Sequence, residues 1–317
     1  MRLPTHCPKR VSEEVYLRTV ALMGTVVTVQ VVGHGEDHQQ TIHREETVER
    51  AFGWFRRIEE CCTRFEPRSE VMQLAAKVGV PVPVSAMLFE AVQFALAVAA
   101  ESNGAFDPTV GCAMESLGFN REYRTGQTVR TALETGGPAI SYRDVRLDAG
   151  RKTITLLRPL ILDLGAVAKG LAIDLAAREL RPFRNFAVDA GGDLYLAGCN
   201  PDGEPWSIGI RHPRRENELI DSLRVSNRAV CTSGDYERQS SAEDQGHHIL
   251  DPRTGVSPHA AASVTVLAPT AMLADALATA AFVLGPDDGL RLLDRPGVDG
   301  LIFTPALERY ATQGISK

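Results

Sequence analysis

The chain has 317 residues, of which 44% are hydrophobic and 23% are charged, and its formal net charge is -6. This length and apolar content are enough for one large folded domain or two coupled ones, and they argue against a disordered chain. The negative charge and the lack of long Lys or Arg runs argue against nucleic acid or an anionic membrane surface as a partner.

The cysteines and the N-terminal segment bear on the cellular compartment. The six cysteines form no CxxC pair, so a structural zinc site is not expected. Glu13, Glu14 and Arg18 interrupt the apolar core that a signal peptide needs, and Cys7 does not follow such a core as a lipid-attached cysteine would. No segment approaches the ~20 apolar residues of a membrane span. We therefore predict a cytoplasmic protein with reduced thiols.

The first half of the chain predicts one strand followed by two helices. The β-branched residues within 15–32 predict a strand with a tight spot at Gly24. Apolar residues at helical spacing predict a helix from about Thr41. A second amphipathic helix is predicted after Ser85, with its end near Gly104.

The second half predicts mostly short strands, with two helices. The strands are predicted over residues 145–162, with a turn at 151–152, and over residues 186–190, 194–197, 206–210, 222–225, 229–232 and 298–303. The helices are predicted over residues 166–180 and from Thr270 to Gly285. Because strands come in runs and helices in blocks, we predict an α+β fold with mixed or antiparallel sheets and packed helices. Residues 1–14 are predicted to form a flexible tail before a single domain over residues 15–317.

The last predicted helix carries a single charge. Asp275 is the only charged residue between positions 271 and 284, and Thr279 follows four residues later, so both side chains project from one face. A lone carboxylate in so apolar a helix is costly unless it is paired or binds a cation. This pattern favours a metal ligand. The alternative is that Asp275 marks a solvent-exposed face and Thr279 bonds back to the helix.

The segment LDLGAVAKG, residues 162–170, places an acid, a glycine turn and a lysine between an apolar stretch and a helix. Residues 160–162 are predicted to end a buried strand, which puts Asp163 at its carboxyl edge, where ligands tend to collect. Lys169 is predicted in the first turn of the next helix, whose N–H groups favour an anion such as a phosphate. For these residues alone, the simpler interpretation is that Asp163 caps the helix and Lys169 is solvated.

Two further segments offer candidate catalytic side chains. HHILDPRTG, residues 247–255, begins with two histidines; neighbours on a strand face opposite sides, so at most one faces a site and serves as a general base. CTSGDYER, residues 231–238, provides hydroxyl and charged groups for nucleophilic chemistry or for an ordinary capped turn. The GxSxG, Walker and complete GxGxxG patterns are missing, so hydrolase, P-loop and Rossmann functions lack their signatures.

Eight segments in this order resemble the ApbE family of FAD:protein FMN transferases. They are MGT (23–25), TRFEPRSEV (63–71), GAFDPTVG (104–111), LDLGAVAKGLAID (162–174), VDAGGDLYLAG (188–198), CTSGDYER (231–238), HHILDPRTG (247–255) and VTVLAPTAMLADALATAAFVLG (264–285). The resemblance covers nearly the whole chain and implies a magnesium-dependent enzyme. Such an enzyme moves FMN from FAD to a threonine or serine hydroxyl of a target flavoprotein and releases AMP. The acceptor carries a D-x-x-[ST]-G-A-[ST] type sequence, and the resemblance also implies a ligand cleft between two coupled subdomains.

The resemblance further implies roles for individual residues. The Mg²⁺ ligands fall on Asp275, Thr279 and the backbone carbonyl of Ala166. His248 matches the histidine proposed to deprotonate the acceptor hydroxyl, so His248 and Asp275 are the expected catalytic residues. The flavin contacts fall on Met23, Phe65, Ala105, Phe106, Asp107, Asp163, Lys169 and Leu250.

Two positions depart from the family pattern, and three alternative functions stay open. Ala166 replaces a glycine that is frequent in the family turn, and Phe65 replaces a frequent tyrosine, which keeps a stacking face and loses a hydroxyl. The first alternative is a FAD pyrophosphatase, in which water replaces the acceptor hydroxyl and the products are FMN and AMP. The others are a non-catalytic flavin-binding protein and a structural or interaction module, which the solitary Asp275 disfavours.

Overall fold

The computed structural model describes residues 14–33, 38–123, 125–129, 131, 139–237 and 246–315. The predicted tail over residues 1–14 therefore lies outside the described residues, except for Glu14. The strands are β1 (Val15–Leu22), β2 (Thr25–Val32), β3 (Val82–Pro83), β4 (Val145–Asp148), β5 (Thr153–Leu156), β6 (Asn185–Ala190), β7 (Asp193–Ala197), β8 (Trp206–Arg211), β9 (Leu219–Val225), β10 (Arg228–Gly234), β11 (Ser263–Ala268), β12 (Asp299–Phe303) and β13 (Arg309–Ala311). The helices are α1 (His38–Cys62), α2 (Glu70–Ala75), α3 (Ala86–Glu101), α4 (Gly111–Ser116), α5 (Gly165–Glu179) and α6 (Ala271–Leu293).

The central element is an eight-stranded sheet in the order β1-β2-β6-β7-β10-β11-β12-β13. Each neighbouring pair in this sheet is antiparallel. A three-stranded sheet β3-β5-β4 and the hairpin β8-β9 complete the described strands. Helix α5 packs against α1 and α6, and α6 also lies against β10 and β11. The predicted α+β fold with antiparallel sheets and packed helices is confirmed.

The main core lies between this sheet and helices α1, α5 and α6. Phe52 and Phe55 of α1 and Phe282 of α6 are fully buried, as are Val29 and Val31 of β2. Full burial of one such side chain stabilises the fold by about 1.5–3 kcal/mol. The apolar spacing that predicted α1 therefore reflects the face that this helix buries.

The single strand predicted over residues 15–32 is wrong, because the chain reverses at its centre. Strands β1 and β2 pair along their whole length, from Val15 opposite Val32 to Leu22 opposite Thr25. Met23 and Gly24 form the turn with φ values of 52° and 72°, and two positive φ angles are typical of a tight hairpin turn. The β-branched run continues on both sides of this turn, so the residue pattern alone does not show the reversal.

The strand predicted to end at residue 162 is also wrong. Strand β5 ends at Leu156, and residues 160–162 are buried without belonging to a strand. Their backbone instead contacts the turn before α4, where Asp163 N donates to the Pro108 carbonyl (2.7 Å) and Gly111 N to that of Ile161 (3.2 Å). This contact joins the LDLG and GAFDP segments, which lie about 50 residues apart in sequence.

Three smaller differences concern two elements that were not predicted and the end of one helix. The short helix α2 was not predicted; Ser69 caps it by accepting a bond from Met72 N. Helix α6 does not end at Gly285, where the backbone is non-helical with φ of 78°, but resumes and continues to Leu293. Strand β13 follows the strand that was predicted to be the last. The predicted helices near Thr41, after Ser85 and over residues 166–180 correspond to α1, α3 and α5.

One of the five cysteines in the described residues differs from the prediction. Cys199 is disulfide-bonded, whereas Cys61, Cys62, Cys112 and Cys231 are free thiols. The expectation of uniformly reduced thiols is therefore wrong, because a disulfide requires only spatial proximity and no short sequence spacing. No helix in the described part of the chain is long and apolar enough to cross a membrane.

Candidate active site

Helices α5 and α6 meet closely over the middle strands of the central sheet. A Cβ atom at Gly170 would lie 2.5 Å from the Met272 Cα and N atoms, so only glycine permits this approach. The Asp174 carboxylate accepts bonds from Ala271 N (2.7 Å) and Met272 N (3.0 Å) and thus caps α6. The sequence analysis missed the role of Asp174, because its partners lie almost 100 residues later. These contacts fix α5 and α6 relative to each other.

Asp275 and Thr279 lie one turn apart in the first half of α6. Asp275 is only 6% exposed, so the alternative that it marks a solvent-exposed face is wrong. The Thr279 hydroxyl lies 3.2 Å from the hydroxyl of Ser233 on β10, which ties this face of the helix to the central sheet. The predicted metal ligands on α6 therefore lie on the side of the helix that faces β10, with Asp275 buried and Thr279 partly exposed.

Lys169 forms an ion pair with Asp193, the first residue of β7. The Asp193 side chain is 3% exposed, and its Oδ1 also accepts a bond from Thr232 N (3.1 Å). Burial alone lowers the pKa of the Lys169 ammonium, but the Asp193 and Asp275 carboxylates raise that pKa above its ordinary value. The alternative of a solvated Lys169 is wrong, and the lysine lies in the second turn of α5 rather than the first.

Charged groups gather around this ion pair. Burial raises the pKa of Asp189, and the nearby Asp193 carboxylate adds to the rise. Burial, followed by the charges of Asp193 and Asp275, raises the pKa of the Cys231 thiol well above its ordinary value, so this thiol stays protonated. Three carboxylates thus lie around the single ammonium of Lys169. The excess negative charge favours a cation at this position.

Arg64 connects two of the residues that the resemblance assigns to the flavin. Asp163 accepts a bond from Arg64 Nε at 2.7 Å through one oxygen and from Gly165 N at 2.9 Å through the other. The Arg64 guanidinium carbon lies 4.3 Å from the centre of the Phe65 ring. Asp163 therefore accepts a bond from the first N–H of α5, which agrees with the predicted helix cap. It also pairs with a buried arginine, which the sequence did not predict.

The GAFDP segment is held mainly by Asp107. This residue is buried, and its carboxylate accepts bonds from the Thr109 N–H (2.9 Å), the Thr109 hydroxyl (2.7 Å) and Tyr142 N (2.8 Å). Burial raises the pKa of Asp107 although these three donors lower it. Ala105 and Phe106 precede it and are buried as well. The segment is therefore a rigid turn with its backbone fixed on both sides.

Met23 lies at the same edge of the sheet as the DAGGD turn. Strand β2 begins opposite the end of β6, with Val27 paired to Ala190, and Gly191 N donates to the Val26 carbonyl at 3.1 Å. The positive φ of Met23 is uncommon for a residue with a Cβ atom and stores strain of a kind found at ligand sites. The MGT and VDAGGD segments are therefore neighbours.

The two adjacent histidines occupy different environments, although neither lies in a regular strand. His247 is 5% exposed; its Nε2 lies 2.9 Å from the Pro258 carbonyl, and its ring meets Phe282 edge-on at 5.3 Å. Burial lowers the pKa of His247. His248 is partly exposed, and Leu250 is 7% exposed. His248 is therefore the more accessible of the two histidines.

The available donors fit a magnesium ion better than a transition metal. Among the residues that the structure describes, no three His, Cys, Asp or Glu side chains converge as a metal cage. Mg²⁺ needs no such cage, since it takes about six oxygens, keeps several waters and commonly uses one or two carboxylates together with substrate phosphates. Asp275, Thr279 and the Ala166 carbonyl in the first turn of α5 are hard oxygen donors of this kind.

The residues of the candidate site all lie within the region that is similar to known proteins. The family model described as the ApbE family matches residues 23–302. The curated FAD:protein FMN transferase of Haemophilus influenzae is 30% identical over 293 residues, which is 88% of this chain and 84% of that protein. That of Treponema pallidum is 31% identical over 334 aligned positions, which is 98% of this chain and 90% of that protein.

Solved structures give the same result. The ApbE protein of Thermotoga maritima superposes with a TM-score of 0.79 at 31% identity, over 95% of this chain and 98% of that one. The flavin transferase ApbE of Vibrio cholerae has a TM-score of 0.79 at 25% identity with the same coverage. The matched region contains the sheet edge and both helices that build the candidate site. This chain belongs to the ApbE family.

Proposed function

We propose that this protein is a magnesium-dependent enzyme that transfers FMN from FAD to a threonine or serine hydroxyl of a target flavoprotein. The observation that carries the proposal is the Lys169–Asp193 ion pair beside the buried Asp275, at the contact of two helices. The relatives' name, FAD:protein FMN transferase, supports FAD as the substrate and a protein as the acceptor. The acceptor sequence of the type D-x-x-[ST]-G-A-[ST] is part of the proposal.

In the proposed reaction the acceptor hydroxyl oxygen attacks the phosphorus of the FMN half of FAD. A new P–O bond joins FMN to the acceptor, the P–O bond to the AMP phosphate breaks, and AMP leaves with that electron pair. The proton of the hydroxyl passes to His248, whose partly exposed side chain is accessible to a protein substrate. A positioned base of this kind contributes about 10²–10⁴-fold to the rate.

The charge that develops on the diphosphate has a partner in Lys169. The raised pKa keeps its ammonium protonated at neutral pH, and its side chain is partly buried, which strengthens the interaction with phosphate oxygens. Mg²⁺, held by Asp275, Thr279 and the Ala166 carbonyl, would supply further neutralisation of the phosphate charge. Asp193 holds the lysine in place from the side of the sheet.

The remaining assignments are part of the same proposal. The flavin contacts are Met23, Phe65, Ala105, Phe106, Asp107, Asp163, Lys169 and Leu250. The whole of residues 15–317 acts as one catalytic domain, with the substrate in a cleft between two coupled subdomains. The Cys199 disulfide favours an oxidising compartment over the cytoplasm that the sequence predicts.

The test is mass spectrometry of an acceptor domain after incubation with the protein, FAD and Mg²⁺. The expected result is a gain of one FMN on the acceptor's threonine or serine, with an equal amount of AMP, and no gain when EDTA is present. An acceptor with that residue changed to valine or alanine is the matched control. Free FMN and AMP with an unmodified acceptor would instead identify a FAD pyrophosphatase, and bound but intact FAD would identify a flavin-binding protein.

A further inference from the structure

The buried Arg64 links three segments of the proposed flavin site. It lies in the turn between α1 and α2, and its side chain is only 6% exposed. Its Nε donates to Asp163 Oδ2 at 2.7 Å, and its Nη2 donates to the carbonyl of Phe119, which follows α4. The guanidinium also lies over the ring of Phe65. One side chain therefore holds its own turn, the end of α4 and the start of α5 together.

The surroundings of Arg64 indicate that its side chain has a functional role in addition to stabilising the fold. A buried guanidinium is costly unless it is paired and all of its donors are satisfied. Arg64 has its carboxylate partner, yet its Nη1 is buried without a hydrogen-bond acceptor. An incompletely satisfied group that a fold retains is more typical of a functional site than of a packing position.

Two of the three partners of Arg64, Asp163 and Phe65, are residues to which we assign flavin contacts. Asp163 is fixed on one side by Arg64 and on the other by Gly165 N, so its carboxylate has a single orientation. Phe65 has one face of its ring covered by the guanidinium, which restricts the rotation of the ring about its Cβ. Loss of Arg64 would free both side chains at once.

We propose that Arg64 is a positioning residue for FAD, which holds the Asp163 carboxylate and the Phe65 ring in the arrangement that binds the flavin half of the substrate. This inference rests on the proposed function. Because Arg64 acts on groups that bind the substrate before and during the reaction alike, its loss raises KM for FAD more than it lowers kcat.

The experiment is a double-mutant cycle on the full-length protein. The variants are Arg64→Gln, Asp163→Asn and the double variant, with Arg64→Lys as the conservative replacement. Arg50→Gln is the matched control, since Arg50 also pairs with an acid, Glu179, but is half exposed and lies on the outer part of α1. The dissociation constant of FAD is measured by quenching of flavin fluorescence, and kcat and KM by release of AMP, with thermal unfolding as the test of folding.

The expected result is that Arg64→Gln weakens FAD binding at least tenfold and lowers kcat less than threefold, while Arg50→Gln leaves both within twofold. Arg64→Lys, which keeps the charge and one donor, recovers part of the loss. In the Asp163→Asn background, Arg64→Gln has a smaller effect than in the wild type, because one of its two flavin-site partners is already lost and only its contact with Phe65 remains.

Two results would overturn the inference: unchanged FAD binding by Arg64→Gln, or an equal loss in both backgrounds. If Arg64→Gln does not fold, the Arg64→Lys cycle with Asp163→Asn decides by the same criterion. Failure of the wild-type protein to bind FAD would overturn the proposed function and this inference together. Normal binding by both the wild type and Arg64→Gln would overturn the inference alone.

Discussion

Lys169 of helix α5 and Asp193 of strand β7 form an ion pair within reach of the charge on Asp275. The pair joins a helix to the central sheet at the point where α5 and α6 touch. Because one ammonium faces two buried carboxylates, a change in any of these residues alters the electrostatics of the other two.

Asp193→Asn is expected to lower the rate of FMN transfer by about 10²–10³-fold, the usual effect of losing one preorganised group at a charged transition state. The reason is that Lys169 loses the carboxylate that places it. Asp202→Asn, in an exposed turn, is the control and should retain full activity. Measured kcat values for the two variants within threefold of each other would contradict the prediction.

Asp275→Ala is expected to remove the response of the protein to Mg²⁺. For the wild type, an ion concentration 100 times its Kd stabilises the fold by about 2.7 kcal/mol, which appears as a higher Tm in a thermal scan. The variant should show no increase with Mg²⁺. Asp287→Ala, at an exposed position in the second half of α6, should respond like the wild type. An equal increase of Tm in Asp275→Ala would mean that the metal binds elsewhere.

His248→Ala is expected to lower kcat by about 10²–10⁴-fold without weakening FAD binding, because only the proton transfer is lost. His247→Ala should do the opposite: it removes the packing on Phe282 and the contact with the Pro258 carbonyl, and costs about 1–3 kcal/mol of stability. Urea unfolding together with single-turnover kinetics distinguishes the two. Full transfer activity of His248→Ala across neutral pH would exclude its role as the base.

The pH dependence of stability should report Asp174. Burial raises the pKa of its carboxyl from its ordinary value to about 6, although the N–H groups of Met272 and Ala271 lower it. The folded protein therefore holds this proton more tightly than the unfolded chain, so the stability that it contributes is complete below about pH 4 and is lost as the pH rises to about 6. A rise of this size corresponds to about 3 kcal/mol.

Asp174→Asn is the variant that isolates this group. Between pH 4 and pH 7, the free energy of unfolding of the wild type should fall relative to that of the variant by up to about 3 kcal/mol. Urea unfolding at four or five pH values measures the difference. A constant difference across this range would show that Asp174 does not titrate there.

Gly170→Ala is expected to destabilise the protein by about 1–3 kcal/mol, because the new methyl group must push α5 and α6 apart. Gly53→Ala on α1 is a close control, since its Cβ would meet only the end of the Arg57 side chain at 3.8 Å. That change should be neutral or should stabilise the helix by about 0.5–1 kcal/mol. Equal unfolding free energies for the two variants would show that the contact of α5 and α6 is not tight.

The sequence allowed prediction wherever a local pattern carries the information. The apolar spacing of α1 and α3 reflects one buried face each, and Asp275 was singled out because a lone charge between positions 271 and 284 is costly without a partner. The MGT turn shows the limit. A β-branched run looks the same whether it continues or reverses, so one strand was predicted where two exist.

The contacts within the site could not be predicted, because their partners lie far apart in the chain. Arg64 meets Asp163 across 99 positions, and Asp174 meets Ala271 across 97. The periodicity of a segment does not report such pairs, which depend on how the sheet and helices assemble. The same holds for Lys169, whose interpretation as a solvated side chain failed once β7 was seen beside it.

The topology of the central sheet also determines when each strand can pair with its neighbours during synthesis. Strand β2 has its second neighbour in β6, and Val31 lies opposite Phe186, about 155 residues later. At about 5–20 residues per second, the ribosome needs roughly 8–30 s to supply that partner. The apolar hairpin β1-β2 stays unpaired on that side for the whole interval, and an open edge of this kind attracts other chains. The hairpin that carries Met23 is thus made well before its sheet partner β6 and takes its place in the sheet only after β6 has been synthesised.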